Sequence, residues 1–190
     1  TARLAPRASG ARGLQHAMFP TTRSTSFKAV PGWEAIHEDD DEALSRAGFD
    51  PRATRGGEQT MLHYACEVDA HKCVAWMCKQ PGVDVNVQDA QLKTPLIIAA
   101  ENLALKSVKV LLGVPGCDVT AVNKQEMGAI HLLCASDAAA DLVAALLDRG
   151  VDGTAISSDG LTPLHVAALH DAVAVATLLL DRGCKPWEGK

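Results

Sequence analysis

The chain has 190 residues, one-domain size, and a hydrophobic share of 47% that is ample for a core. Aromatic side chains make up only 4%, so the core must come from Ala, Leu and Val, which suits closely packed helices and argues against a sandwich or barrel. The net charge of −5 is unevenly divided: residues 1–33 hold five basic residues and no acidic one, whereas the remainder holds 13 basic and all 23 acidic residues.

The chain therefore divides into a basic arm, residues 1–33, and an acidic body, residues 34–190. The arm contains Arg3, Arg7, Arg12, Arg23 and Lys28 among Ala, Ser and Thr, and the chain opens on Thr rather than Met. That composition is the one of an organellar transit peptide or of its remnant after cleavage, so an imported protein is expected, with the mitochondrion ahead of the plastid. The alternative is a basic tail on a cytoplasmic or nuclear protein. No apolar run reaches the roughly 18 residues of a membrane span, and no secretory core is visible.

After the arm, "EAIHEDDDEALSRAGFDP" reads as a single helix whose acidic run Glu38–Glu42 gives it a polar face. Its "LSRAGFD" echoes "LLDRGVD" further on, so residues 34–51 form a half-repeat suited to cap the N-terminal end of a stack. Then "TMLHYAC", "TPLIIAA", "GAIHLLC" and "TPLHVAA" begin at Thr60, Thr94, Gly128 and Thr162, each 34 residues after the last. A fixed period of this size means stacked supersecondary units. In each unit a short apolar helix, a polar bend, a second apolar helix and a Gly-containing loop follow one another. Thr94 and Thr162 are the natural N-caps, and Pro95 and Pro163 fit the first helical turn, where a missing N–H costs nothing. Gly82, Gly116, Gly150 and Gly183 stand where the second helix stops in a left-handed conformation. Equal spacing puts Leu62, Leu96, Ile130 and Leu164 in one buried row. The last second helix, "DAVAVATLLLDRG", is apolar nearly all round, and a terminal repeat needs a polar outer face, so this end is expected to be covered by another protein, by the N-terminal arm or by further residues of the chain.

These motifs resemble the ankyrin repeat over roughly residues 48–186. The resemblance implies an all-α solenoid of stacked helix-turn-helix units with β-hairpin-like fingers near residues 52–59, 86–93, 120–127 and 154–161. Met61, Ile97 and Gly128-Ala129 depart from the family motif and are expected to weaken individual helix starts only. By the same resemblance, the motif histidines His63, His131 and His165 bond the finger backbone and the motif Thr. Ile97 cannot, and it reads first as plain drift in an Ile/Ala-rich core; the other readings are a finger held less firmly or an apolar surface offered to a partner. A zinc site is excluded, because equivalent positions in stacked units lie roughly 8–10 Å apart.

Six cysteines, Cys66, Cys73, Cys78, Cys117, Cys134 and Cys184, show neither a CxxC pair nor zinc-finger spacing. Cys66 and Cys134 share a repeat position with Ala100 and Ala168 and read as small core residues, and free thiols in such number suit a reducing compartment. No phosphate loop, dinucleotide fingerprint, GxSxG elbow or HExxH occurs, so no catalytic residue, cofactor or metal is expected.

In ankyrin-like stacks the first helices and finger tips line a concave face. The candidate partner-binding residues in that register are Tyr64, Val68, Gln91, Lys93, Ile98, Asn102, Met127, Leu132, Leu161, Leu169 and His170, with Trp187 beside the last unit. Gln59, Glu67, Glu101, Gln125, Ser136, Asp159 and Val166 complete the face. The expected function is a non-catalytic protein-protein interaction scaffold, an accessory or assembly subunit of a larger organellar complex. Two other readings stand beside it: an RNA-associated subunit of a ribosome-like particle, its arm neutralising phosphates, and a cytosolic or nuclear regulatory adaptor.

Overall fold

The computed structural model describes residues 32–185. Five helix pairs follow one another: α1 (Trp33–His37) with α2 (Asp41–Ala47), α3 (Met61–Glu67) with α4 (His71–Met77), α5 (Pro95–Glu101) with α6 (Leu105–Leu112), α7 (Ala129–Leu133) with α8 (Ala140–Asp148), and α9 (Pro163–Leu169) with α10 (Val173–Asp181). First helices pack on first helices and second on second along the whole stack, which makes two helical layers. Strands β1 (Thr54–Arg55) and β2 (Gln59–Thr60) pair antiparallel as the first finger, and Val122 and Gly128 form a single bridge in the third. Among the described residues no helix is long and apolar enough to cross a membrane.

The expected inner row is continuous: Leu62, Leu96, Ile130 and Leu164 are 3%, 2%, 2% and 9% exposed. Cys66, Ala100 and Cys134 are fully buried, small enough to let neighbouring first helices approach. Gly150 and Gly183 follow the caps of α8 and α10, whereas α4 and α6 end at Met77 and Leu112, so that Gly82 and Gly116 lie in the loops beyond and not at the helix ends; all four hold φ values of 80–83°, which only glycine adopts cheaply. Thr94 and Thr162 cap α5 and α9 as the sequence indicates. Gly128 has no side chain to offer as a cap, yet α7 starts in register with α3, α5 and α9; it is five residues long against their seven because it ends two residues earlier, at Leu133.

The N-terminal segment differs from expectation. The half-repeat is a pair of short helices rather than one, and Trp33, assigned by sequence to the arm, opens the first of them. The acidic run does not face solvent along one helix. It makes the turn, where Asp40 Oδ1 caps α2 through the Ala43 N–H and Asp39 Oδ1 accepts the N–H groups of Lys72 and Cys73 at the start of α4. Charge is placed there because helix N-termini present unpaired donors and a partial positive charge. Residues 1–31 of the arm lie outside the described residues.

The same bracket recurs between units. Asp69 Oδ1 accepts from the Ser107 N–H and hydroxyl at the start of α6, and Asp137 Oδ1 from the Ala174 and Val175 N–H groups at the start of α10. Leu103 holds the equivalent place in the second unit, at φ 52°, a conformation costly for leucine but tolerable for asparagine. Leu103→Asn is therefore expected to stabilise the fold by about 1 kcal/mol, by easing the backbone and offering α8 a cap. Thermal melts check this, and an unchanged or lower midpoint would refute it.

The last pair carries the exposed apolar surface that sequence suggests, though only in part. Leu169, Val173 and Leu180 are 71%, 69% and 53% exposed, whereas Val175 and Leu179 are fully buried against the preceding unit. Asp171 repeats the bracket conformation, φ 55°, with no following helix among the described residues to receive it. The chain is expected to self-associate through this end, and Val173→Lys to reduce that association. Sedimentation at rising concentration is the check: a wild-type chain that stays monomeric contradicts it.

Candidate functional site

The fingers are held by three buried polar side chains that recur every 34 residues: Asp89, Asn123 and Ser157. Asp89 Oδ1 accepts from the Gln91 and Lys93 N–H groups, Asn123 Oδ1 from those of Gln125 and Met127, and Ser157 Oγ from that of Leu161. Successive fingers are zipped by backbone bonds from Ala90 N–H to Gly57, Lys124 N–H to Gln91 and Ser158 N–H to Gln125. These rungs fix the finger tips over the first helices.

The motif histidines join the layers. The Thr60 N–H donates to His63 Nδ1 at 3.1 Å, so the ring proton sits on Nε2, which donates to the Lys93 carbonyl of the next finger at 3.0 Å. His131 does the same between the Gly128 N–H and the Ala155 carbonyl. His165 accepts from the Thr162 N–H, but no following finger carbonyl meets its Nε2 among the described residues. The structural role implied by the family resemblance is therefore complete in two units and half complete in the last. Ile97, at the same position of the second unit, is 1% exposed. It fills the core, in keeping with plain drift at this position, and does not offer an apolar surface to a partner.

Burial holds the pKa of His63 and of His131 below the ordinary imidazole range. The folded state thus prefers the neutral rings, and the unfolded chain binds more protons between the two values. The stability they contribute is fully present above about pH 6.5 and is lost as pH falls below it. Asp118 and Asp152, held low by the hydroxyls of Thr120 and Thr154, lose theirs only in the more acidic carboxylate range. Urea midpoints should therefore fall measurably between about pH 7.5 and 5.5; a flat profile there would exclude neutral histidine bridges.

On the inner face the first two units bring Arg55, Gln59, Glu67, Lys93, Ile98, Glu101 and Asn102 around one hollow of about 260 Å³. Arg55 pairs with Glu67 and donates to Gln59 Oε1 at 3.0 Å, with its guanidinium 4.4 Å from the Tyr64 ring centre and 5.7 Å from that of Trp33. Lys93 Nζ lies 2.6 Å from Glu101 Oε2. Both cations are thus neutralised within the face. Glu67, Glu101, Ala135 and Leu169 occupy one position in successive units, so the row passes from ion-paired carboxylates to an alanine and then to an exposed leucine.

The candidate residues separate on exposure. Gln91, Asn102, Leu169 and His170 are exposed, and Val68 is 36% exposed. Lys93 and Met127 are half-buried, and Leu132 and Leu161 are half-buried against the core, which thins the apolar group expected on the third and fourth units. Tyr64 and Ile98 are 7% and 3% exposed and Val166 is also buried, so these three are core rather than surface. Helix α3 turns the Tyr64 ring towards Trp33, 5.3 Å away, instead of outwards. Trp187 lies outside the described residues. Trp33 and Arg55 escaped the sequence reading; a lone Trp at the edge of the arm was the available signal.

All six cysteines are free thiols. Burial pushes the thiol of Cys66 well up, those of Cys73 and Cys134 to about 12 and that of Cys78 to about 11, so they are protonated and poor nucleophiles at neutral pH. Among the described residues no group of three or more His, Cys, Asp or Glu is disposed to hold a metal.

Comparison with known families gives a match to the family model described as "Ankyrin repeats (3 copies)" over residues 35–123 and 104–189. Two curated relatives from Microplitis demolitor bracovirus (isolate Webb) are similar over 47 residues: I-Kappa-B like protein F2 at 38% identity and I-Kappa-B like protein I1 at 36%. The shared stretch is 25% of this chain, and the chain spans 28% of the length of each relative.

Proposed function

Because the chain belongs to the ankyrin-repeat family, whose repeats mediate binding to protein partners, we propose that it is a non-catalytic scaffold gripping one partner along its first-helix and finger face. We place it as an accessory or assembly subunit of a larger complex. The observation that carries this reading is the inner row: two satisfied ion pairs at one end and, at the other, Leu169 at 71% exposure beside exposed His170. A fixed polar register with an unshielded apolar anchor is the division of labour found in protein interfaces. The Arg-rich, acid-free arm supports an organellar address, the mitochondrion before the plastid. The RNA reading is weaker, since Arg55 and Lys93, the cations of the inner hollow, are each bound to a glutamate.

Quantitative pull-down of a tagged chain from its native cells tests the proposal. The Leu169→Asp, His170→Glu double variant should retain at least about tenfold less of the principal partner than wild type, as expected for loss of an anchor. Equal recovery would place the interface elsewhere.

The likeness to I-Kappa-B like proteins supports a second reading, a regulatory adaptor that exchanges partners. Native size distinguishes the two. A subunit migrates in one assembly of fixed stoichiometry, whereas an adaptor divides between free and bound pools.

A further inference from the structure

The second-helix layer carries a feature that the inner face does not explain. In an acidic body, residues 70–83 and 102–117 contain no Asp or Glu, and they place Lys72, Lys79, Lys106 and Lys109 on the solvent side of α4, α6 and the loop after α4. None of the four has a carboxylate within ion-pair distance among the described residues; the nearby Asp39 is engaged by His71 and by the α4 N-terminus. The outer helices of the next two units differ, bearing Asp141, Asp148 and Asp181.

Between α4 and α6 these lysines frame a groove of about 600 Å³, with Lys79, Lys106 and Lys109 beside a predominantly apolar floor that includes Ala75, Val110 and Val114. Three unpaired like charges around a concave apolar strip raise the potential there and are relieved by an anionic, partly apolar occupant. We propose that this groove is a second docking site, for an acidic segment of a partner protein that lays apolar side chains along the floor and carboxylates against the lysines. A nucleic acid would leave the apolar floor unused, since the groove is lined by no Phe, Tyr or Trp for base stacking and its imidazole, His71, is held by Asp39. A flat anionic membrane surface would not reach into a groove.

The test uses the full chain and a fluorescein-labelled peptide of repeating Glu-Glu-Leu-Leu units, followed by anisotropy. Saturable binding is expected that weakens at least about tenfold between about 50 and 300 mM salt. Lys106→Glu combined with Lys109→Glu should abolish it and create binding to the Lys-Lys-Leu-Leu counterpart, a gain that a misfolded variant could not show. Lys124→Glu, on a finger, should change nothing. The proposal is overturned if the double variant binds the acidic peptide undiminished, if polyglutamate without leucine binds as tightly, or if single-stranded RNA or phosphatidylserine vesicles displace the peptide through the same lysines. The outcome is independent of the inner face, because a failed Leu169 experiment leaves this titration unaltered.

Discussion

Leu96→Ala is expected to lower the unfolding free energy by about 2–5 kcal/mol, the largest single effect in the fold. Leu96 is 2% exposed, and its helix α5 is packed by α3 on one side and α7 on the other, so the vacated volume is walled by core from two units. Leu164→Ala should cost less, because among the described residues α9 has a first-helix neighbour on one side only and Leu164 keeps 9% of its surface. Urea titration followed by circular dichroism gives both numbers. A loss under about 0.5 kcal/mol for Leu96, or the reverse order, would mean that the row is not one continuous core.

His63→Ala is expected to follow, at about 2–4 kcal/mol, because it removes the acceptor of the Thr60 N–H and the ring N–H that reaches the Lys93 carbonyl, which keeps only the Asp89 N–H, and opens a ring-sized void at a fully buried site. Its damage should extend to the second finger, with faster amide exchange at Gln91 and Lys93, whose N–H groups bond Asp89 beside the lost contact. His165→Ala should cost about half as much, since only its Nδ1 bonds are removed. Equal losses at the two positions would show that the finger carbonyl contributes nothing.

The 34-residue period makes the architecture legible in the sequence, because Thr, Pro, His and Gly recur at places where a backbone needs a cap, a first turn, a bridge or a left-handed residue. The finger braces were less legible. Asp89, Asn123 and Ser157 are three different residue types sharing only the ability to accept from a turn backbone, so period without identity conceals them. The sequence pattern reads the N-terminal pair as one helix because Asp39 and Asp40 fit a solvent-facing run; Asp40 instead caps α2 locally through the Ala43 N–H, and the role of Asp39 depends on α4 arriving from 33 residues away.

Exposure on the inner face was the hardest property to read. The register correctly names which positions point along that face, but whether a side chain is free depends on its neighbours. Tyr64 is covered by Trp33 from the edge of the arm and by Arg55 from the first finger, neither of which belongs to the repeat motif. Ile98, inside the stack, is 3% exposed, while Leu169, at the end of the described stack, has no following unit among the described residues to cover it.

Site-specific photocrosslinking from Asn102 tests the scaffold account most directly. The side chain is exposed, at the end of α5 beside the hollow, and a benzoylphenylalanine placed there in the full chain in its native cells reports what touches that face. The account predicts one dominant protein adduct, present at constant ratio to the chain and lost in the Leu169→Asp, His170→Glu background. Adducts to RNA, or no adduct from Asn102 while the chain still migrates in a large assembly, would contradict it.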